Sequence, residues 1–241
     1  MTALKFVGII IFAYLCGNVS ISRIVARKRN VDIDAAGSGN PGATNMLRNA
    51  GIVPALITLV FDAAKCVIPC LLAFLLFEGS SVWLYGIFRL SVPQIADIAV
   101  YTAAVACILG HMFPVFRKFK GGKGVACGCG LAFFTQPILA AILFVIYIVI
   151  LAVIRIGSVG SLFAAFSYVI SDIVILLIDH YWASFALALV VLLLIVFAHR
   201  SNIVRLIHKK ENMLDLQKSA QMDVDYYKSK RNKNKENKQG D

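Results

Sequence analysis

The chain has 241 residues, of which 59% are hydrophobic and only 15% are charged, and its formal net charge is +11. Soluble domains are about half apolar and about a quarter charged. The apolar excess excludes a disordered chain, a collagen-like chain and a soluble nucleic-acid binder. No nucleic-acid partner is expected, because positive charge beside long apolar segments is typical of membrane-protein loops. The composition predicts an all-α integral membrane protein.

Candidate membrane spans follow one another along the chain, each near the roughly 20 apolar residues that a helix needs to cross a bilayer. The first, 4–20, is followed rather than preceded by basic residues and has no small-residue cleavage site, which favours a span over a signal peptide. The stretch 124–154 is long and contains Gly128, Gly130 and Pro137, which are typical of a broken membrane helix. Splitting it predicts a helix bundle with seven segments: 4–20, 51–77, 94–112, 124–134, 137–154, 157–178 and 181–198.

The basic residues predict the orientation of these segments. They are concentrated at 23–29, at 117–123 and from Arg200 onwards, where 11 of the 24 lysines and arginines lie. Since cytoplasmic loops are basic, all three clusters are expected on the inner side, which requires an odd number of spans and an N-terminus outside. Seven transmembrane segments satisfy this condition, and so do five with two hydrophobic segments folded back.

The C-terminal end differs in composition from the rest. Residues 1–213 are predicted to form the membrane domain, whereas 214–241 form a polar, basic tail without apolar periodicity that is predicted to be disordered. Two interpretations of the tail stay open: attraction to the anionic inner leaflet, and an inert solvated extension.

The six cysteines lie in or beside apolar runs. Cys127 and Cys129 are separated by one residue and have no histidine close in sequence, whereas zinc sites typically combine Cys-x2-Cys spacing with four ligands. These cysteines are interpreted as buried apolar residues, and neither a metal ion nor another cofactor is expected.

The first of three polar motifs, 37–48, reads Gly-Ser-Gly-Asn-Pro-Gly-Ala-Thr-Asn-Met-Leu-Arg. Its glycines and proline predict tight turns. Ser38 and Asn45 supply hydrogen-bonding groups, and Arg48 supplies a planar guanidinium that suits phosphate. An ordinary connecting loop is the alternative, but this combination favours an anion-binding loop.

The second motif, 110–124, ends in a Lys-Gly-Gly-Lys-Gly run in which backbone N–H groups converge between two ammonium groups. A helix predicted to begin near Val125 directs the positive end of its dipole to the same place. The spacing differs from that of a nucleotide-binding P-loop, so nucleotide hydrolysis is not supported. The candidate phosphate-binding residues here are Lys120, Gly121, Gly122, Lys123 and Gly124.

The third motif, 199–206, directly follows the last predicted span. If the helix continues through it, His199, Asn202 and Arg205 share one face. A histidine in this place is a candidate base, hydrogen-bond donor or helix cap. Three anion-binding motifs on one side of the bundle predict a site for a phosphate-bearing molecule at the inner membrane surface.

Asp62 and Lys65 lie within the predicted span 51–77, three residues apart. Ionised side chains inside a membrane are costly unless they are paired. The two residues either brace one another or reach toward the polar site, and Asp172 is a further candidate partner.

These motifs resemble those of the bacterial acyl-phosphate:glycerol-3-phosphate acyltransferase (PlsY) family, and the resemblance extends over residues 1 to about 213. The family's glycine-rich loop is matched at 37–48, its His-x-Phe-Pro-Val-Phe-x-Lys-Phe-Lys-Gly-Gly-Lys-Gly-Val-Ala motif at 111–126, and its His-Arg-x-Asn-Ile-x-Arg-Leu motif at 199–206. Cys66 and Cys127 stand where the family usually has Gly and Thr.

The resemblance implies an enzyme that transfers an acyl chain from acyl phosphate to the 1-hydroxyl of glycerol-3-phosphate, yielding lysophosphatidic acid and phosphate in the first acylation of phospholipid synthesis. It also implies contact with membrane lipid, a bacterial inner-membrane location, a cytoplasmic active site, and functional coupling to the enzyme that produces acyl phosphate.

The resemblance also implies roles for individual residues. Whether His199 or a phosphate oxygen of the substrate accepts the hydroxyl proton stays open at this stage. The implied catalytic residues are Ser38, Arg48, His199 and Asn202; the substrate- and phosphate-binding residues are Asn45, Lys120, Gly121, Gly122, Lys123, Gly124, Ser158 and Ser161; the structural support is Glu211, Asp62 and Lys65.

A transporter of a phosphorylated metabolite is the main alternative, since polar motifs in a helix bundle can line a pathway. Transporters of this kind typically show repeats with matched broken segments, and only one predicted segment, 124–154, is broken. A membrane scaffold without chemistry would leave the Lys-Gly-Gly-Lys-Gly run unexplained.

Overall fold

The computed structural model describes residues 1–77, 94–180 and 182–239, and α-helices dominate these ranges. One short 3-10 helix, Val115–Arg117, lies in the second polar motif. The α-helices are, in chain order, α1 Thr2–Asn18, α2 Ile21–Lys28, α3 Ala43–Asn49, α4 Ile52–Leu76, α5 Gln94–Met112, α6 Val125–Thr135, α7 Pro137–Ile154, α8 Gly157–Asp179, α9 Trp182–Ala198, α10 Arg200–Ile207 and α11 Leu216–Gln239.

Helix α5 forms the centre of the bundle and contacts α1, α4, α6 and α9. Its sequence is rich in alanine, which lets neighbouring helices approach closely. In the most apolar 18-residue stretch of the helix that contains α5, 67% of the residues are buried within the protein; the corresponding share for α7 is 17%. Most of the apolar surface of α7 is therefore left uncovered by the described part of the chain, as expected for a helix that faces lipid.

The packing of α1 on α5 depends on two glycines. A Cβ atom on Gly17 would overlap the carbonyl of Cys107, and a Cβ atom on Gly110 would overlap the carbonyl of Tyr14. Small residues at such contacts are typical of membrane helices, where close backbone approach replaces the hydrophobic effect as the driving force.

Each predicted apolar segment coincides with a helix, and the ends of the helix lie within two residues of the predicted ends. The predicted break in 124–154 is also confirmed, since Gln136 separates α6 from α7 and Pro137 occupies the first position of α7. Among the described residues, five helices are long and apolar enough to cross a membrane, or six if α9 and α10 count as one bent span. The protein is therefore an all-helical, polytopic membrane protein.

The last polar motif does not continue the preceding helix. His199 lies between α9 and α10, and the two helix axes differ by 58°. The condition for one continuous helical face, an unbroken helix through His199, is therefore not met. The bend nevertheless keeps His199 and Asn202 together at one cavity.

The C-terminal end also differs from the prediction. Residues 214–239 are not a disordered extension, because α11 runs from Leu216 to Gln239 and its first half packs on the membrane domain. Leu214 and Leu216 join an apolar cluster with Met46 and Leu47 of α3. Residues on the two sides of the boundary predicted after residue 213 therefore pack together.

Candidate functional site

A cavity opens at one end of the bundle, and its walls come from all three polar motifs. The starts of α3, α6 and α8 meet there with the end of α9 and with α10. Of the residues predicted for the site, the cavity is lined by Ser38, Asn45, Arg48, Asp62, Lys123, Gly124, Ser158, Ser161, His199, Asn202 and Glu211.

Asn45 holds the first motif in shape. Its side chain is almost fully buried, at 1% exposure. Its Nδ2 donates to the carbonyls of Ile33 and Ala36, at 3.3 and 3.0 Å, while its Oδ1 accepts the backbone N–H of Ser38 at 3.1 Å. With both ends of the amide engaged by the loop, Asn45 positions Ser38 rather than offering free groups to a ligand.

Arg48 brings a guanidinium into the cavity. Its Nη2 donates to the carbonyl of Asn212 at 3.1 Å, whereas its buried Nε has no hydrogen-bond partner among the residues that the structure describes. Burial lowers the pKa of Arg48; Glu211 opposes this shift and Arg205 adds to it. A buried donor without a partner is costly, so Arg48 is suited to an anionic ligand.

The two lysines of the second motif have different surroundings. Lys123 lines the cavity, where its Nζ donates to Oδ1 of Asn202. Lys120 is exposed outside the cavity, and its backbone carbonyl accepts a hydrogen bond from Nη2 of Arg23 at 2.9 Å. Since Arg23 also pairs with Asp34 at 2.8 Å, it ties the segment just before the first motif to the second motif.

Gly121 and Gly122 pack on the end of α5 rather than lining the cavity. A Cβ atom on Gly122 would overlap the ring of His111. That ring cannot move aside freely, because its Nδ1 lies 2.8 Å from Nζ of Lys65, which pairs in turn with Asp62 at 2.8 Å. Asp62 and Lys65 therefore brace one another, and the group they form supports the loop that carries Lys123.

Asp172 is not part of this group. Its Oδ1 accepts hydrogen bonds from Tyr101, at 3.0 Å, and from Nε2 of Gln136, at 2.8 Å. The expectation that it partners Asp62 or Lys65 is wrong, because its turn of α8 faces the break between α6 and α7.

We expect Gly122→Ala to destabilise the protein by about 1–3 kcal/mol, since the added methyl group must displace a ring held in place by hydrogen bonds. The measurement is the thermal unfolding midpoint of the purified protein. Gly8→Ala is the matched control, because a Cβ atom on Gly8 meets nothing within 4 Å. An equal midpoint for the two variants would contradict this account of the loop.

Two helix starts add partial positive charge to the cavity. Helix α6 begins at Val125, directly after Gly124, and α8 begins at Gly157. No side chain from the described ranges caps either helix. The first turn of α8 carries Ser158 and Ser161, and the buried Oγ of Ser158 has no partner among the described residues. Uncapped helix N-termini with free hydroxyl donors are typical of anion-binding sites.

The third motif contributes a histidine and an amide. His199 is 2% exposed, and its Nδ1 lies 2.8 Å from the carbonyl of Ile195. This contact requires the proton on Nδ1, which leaves Nε2 as an acceptor in the neutral ring. Asn202 is oriented by Glu211, whose other carboxylate oxygen pairs with Arg205 at 2.9 Å.

The polar end of the cavity has an excess of positive charge. Burial lowers the pKa of Lys123 to about 8; Glu211 opposes this shift, and Arg205 and Arg48 add to it. Because Glu211 already pairs with Arg205, Arg48 and Lys123 lack a matching carboxylate there among the described residues. A bound phosphate would restore their charge balance.

The other walls of the cavity are apolar. They come from the apolar stretches of α4, α6, α7, α8 and α9, so one cavity joins a cationic end to a hydrocarbon-like interior. These wall residues could not be predicted, because an apolar residue in a span gives no sign in the sequence of whether it faces lipid or a cavity. They include Leu59, Ala132, Leu143, Phe144, Val169, Val191, Leu192 and Ile195.

The fold and the site define a polytopic membrane protein with a cationic cavity that continues into an apolar chamber. A family model described as glycerol-3-phosphate acyltransferase matches residues 7–209. The chain belongs to the glycerol-3-phosphate acyltransferase family.

Individual relatives agree with this assignment. The chain is 38% identical over 215 residues to a glycerol-3-phosphate acyltransferase of Shouchella clausii, covering 87% of this chain and 96% of that protein. It is 34% identical over 210 residues to one of Aquifex aeolicus, covering 87% and 99% of the respective chains.

Two solved structures share the fold. A crystal structure of PlsY, an integral membrane glycerol 3-phosphate acyltransferase, in its glycerol 3-phosphate form superposes with a TM-score of 0.73 at 31% identity, covering 88% of this chain and 97% of that one. The lysophosphatidic acid form of PlsY gives a TM-score of 0.71 at 31% identity, covering 89% and 97%.

Proposed function

We propose that this protein transfers an acyl chain from acyl phosphate to the 1-hydroxyl of glycerol-3-phosphate, forming lysophosphatidic acid and inorganic phosphate. The observation that carries the proposal is the cavity itself. Its polar end holds Arg48 and Lys123 without a matching carboxylate from residues 1–77, 94–180 and 182–239, whereas its remaining walls are largely apolar helices. The family membership of the chain supports the same activity.

The cationic end suits two phosphate-bearing substrates. Two phosphate groups in one site repel each other, and Arg48 and Lys123 offset that repulsion. The same cations stabilise the charge that develops on the leaving phosphate during acyl transfer. The Oγ of Ser158 and the Nε of Arg48, which find no partner in the described part of the chain, supply further donors.

The reaction proceeds in one displacement. The 1-hydroxyl oxygen of glycerol-3-phosphate bonds to the acyl carbon, the bond from that carbon to the phosphate oxygen breaks, and inorganic phosphate leaves with the bonding electron pair. The hydroxyl proton passes to Nε2 of His199 or to a phosphate oxygen of a substrate. Acyl phosphate is already activated, so a covalent acyl-enzyme is unnecessary, and no step calls for a metal or a cofactor.

The orientation of His199 suits either holding the substrate hydroxyl or accepting its proton. With Nδ1 bound to the carbonyl of Ile195, Nε2 is left to accept a hydrogen bond from the substrate hydroxyl. Ser38 and Asn202 complete the catalytic set by holding the hydroxyl and phosphate groups in place.

The site is proposed to face the cytoplasm of a bacterial cell, at the inner membrane. Seven helices, α1 and α4–α9, would cross or enter the bilayer in alternation, with the N-terminus outside. In support, the ends of α5 and α9 and the starts of α6 and α8 meet at the cavity, and basic residues cluster at this end. Glycerol-3-phosphate then enters from the aqueous side, and acyl phosphate, supplied by a functionally coupled enzyme, enters from the lipid side.

A donor comparison tests the proposal. Purified protein in lipid nanodiscs is given glycerol-3-phosphate with either palmitoyl phosphate or palmitoyl-CoA, and lysophosphatidic acid is measured by mass spectrometry. We expect product from palmitoyl phosphate alone. Product from palmitoyl-CoA alone, or from neither donor, would overturn the proposal.

Activity is expected to fall as the pH rises through about 8. Lys123 is protonated below its pKa of about 8 and neutral above it, so the free enzyme loses a phosphate-binding charge at high pH. The measurement is the pH dependence of kcat/KM, which reports ionisations of the free enzyme.

Lys123→Arg is the control for this profile, because a guanidinium stays protonated throughout the range. We expect this variant to be less active but to lose the decline near pH 8. A wild-type profile that stays flat well above pH 8 would contradict the role assigned to Lys123.

A further inference from the structure

Helix α11 lies beyond residues 7–209, the range that the family model matches. Its first half nevertheless contacts α3 and α4 of the membrane domain. The carboxylate of Asp223 accepts the backbone N–H groups of Ile52 and Val53, at 2.8 and 3.0 Å, and so caps the start of α4. Its other oxygen pairs with Nη2 of Arg29 at 2.8 Å. Three charge-assisted hydrogen bonds at a largely buried carboxylate make this a firm attachment.

An aromatic contact holds α11 beside the residues that follow α2. The guanidinium of Arg29 lies 3.8 Å from the ring centroid of Tyr226 and 5.3 Å from that of Tyr227. Asp223, three residues before Tyr226, contacts the first residues of α4, where the candidate span Ile52–Leu76 begins. Tyr226 therefore lies near the end of a candidate span, beside α3, which lines the cavity.

The exposed side of α11 at this level is typical of a membrane interface. Tyr227 is 51% exposed and Val224 is 44% exposed. Tyrosine is enriched at membrane–water interfaces, where its ring contacts acyl chains and its hydroxyl contacts headgroups.

The charge of α11 changes after residue 227, from nearly balanced to strongly basic. Residues 216–227 contain one lysine and two aspartates, whereas the basic segment, 228–239, contains six basic residues and one glutamate. The basic segment rises about 1.5 Å per residue and is therefore about 18 Å long. Charges interact over a Debye length of about 8–10 Å, so the first turns of the basic segment, next to Tyr227, are the part closest to headgroup charge.

We propose that the basic segment 228–239 binds anionic lipid headgroups on the membrane surface beside the cavity. Lipid is favoured over an acidic protein or a nucleic acid because α11 is already anchored at the end of a span. The bilayer is thus permanently adjacent, whereas a soluble partner would have to be recruited. Each basic residue close to an anionic surface strengthens attraction about fivefold, so several acting together give stable contact.

The test uses the full-length protein in nanodiscs of two compositions, one entirely phosphatidylcholine and one with about 30 mol% phosphatidylglycerol. Amide hydrogen exchange is measured for peptides covering 224–239. We expect exchange in the basic segment to be at least about tenfold slower in the anionic nanodiscs, and the difference to collapse at high salt because exposed charges are screened.

Two variants sharpen the result. Replacing Lys228, Lys230, Arg231, Lys233, Lys235 and Lys238 together by Gln should abolish the lipid dependence while leaving the Asp223 attachment and the acyltransferase site intact. The control, Lys28→Gln with Lys118→Gln, removes exposed positive charge elsewhere and should retain the lipid dependence.

Equal exchange rates in the two nanodiscs would overturn the proposal. It would also be overturned if protection arose in phosphatidylcholine nanodiscs only after an acidic protein or a nucleic acid was added. Neither outcome depends on catalytic activity, so this proposal can be contradicted without contradicting the proposed acyl transfer.

Discussion

Lys123→Gln is expected to lower kcat/KM about 10²–10³-fold, the loss typical of removing one donor that stabilises developing negative charge. Lys123 is the lysine of the second motif whose ammonium lines the cavity and contacts Asn202. Glutamine keeps a hydrogen-bond donor but removes the charge. The measurement is the initial rate of lysophosphatidic acid formation over a range of glycerol-3-phosphate concentrations.

Two neighbouring lysines provide matched controls for this variant. Lys118 and Lys120 belong to the same loop and are exposed, so Lys118→Gln and Lys120→Gln are each expected to stay within about twofold of wild type. A large loss at Lys120 with little loss at Lys123 would show that the other lysine of the motif binds phosphate, and would contradict the geometry described above.

His199→Ala is expected to lower kcat/KM about 10²–10³-fold, with the loss divided between kcat and KM. The physical reason is that Nε2 of His199 holds the attacking hydroxyl, while its Nδ1 is engaged by the carbonyl of Ile195. The measurement is a full kinetic analysis with each substrate varied in turn. A loss in kcat beyond about 10⁴-fold with unchanged KM would instead establish His199 as a general base.

His208 is the matched control for His199. It makes the same backbone contact, Nδ1 to the carbonyl of Val204 at 2.8 Å, but it is exposed. We expect His208→Ala to leave both kinetic constants nearly unchanged. A comparable loss at His208 would indicate that histidine replacement acts through the stability of α10 rather than through the cavity.

Much of the fold follows from local sequence patterns. Apolar runs interrupted by glycine and proline predicted the helices closely, including the break at Gln136, because a membrane helix must satisfy its backbone hydrogen bonds within itself. The C-terminal helix was missed because its attachment depends on polar and aromatic contacts. Asp223 and Tyr226 meet partners that lie far away in the sequence, and an apolar-period analysis cannot detect such contacts.

Residues of the candidate site were predicted with uneven success for a similar reason. Motif chemistry indicated Arg48, Lys123 and His199, which the structure brings to one cavity. It did not separate Lys123 from Lys120, because the choice depends on how the loop turns and on the hydrogen bond from Arg23 to the Lys120 carbonyl. Non-local contacts of this kind decide which polar residues face a cavity.

The most direct test of the central claim is an experimental structure of the full-length protein with glycerol-3-phosphate bound. We predict phosphate density in the cavity, with oxygen atoms about 2.7–2.9 Å from the side-chain nitrogens of Arg48 or Lys123. The substrate hydroxyl is predicted to lie near Nε2 of His199. Phosphate density outside the cavity, for example against Lys120, would contradict the account.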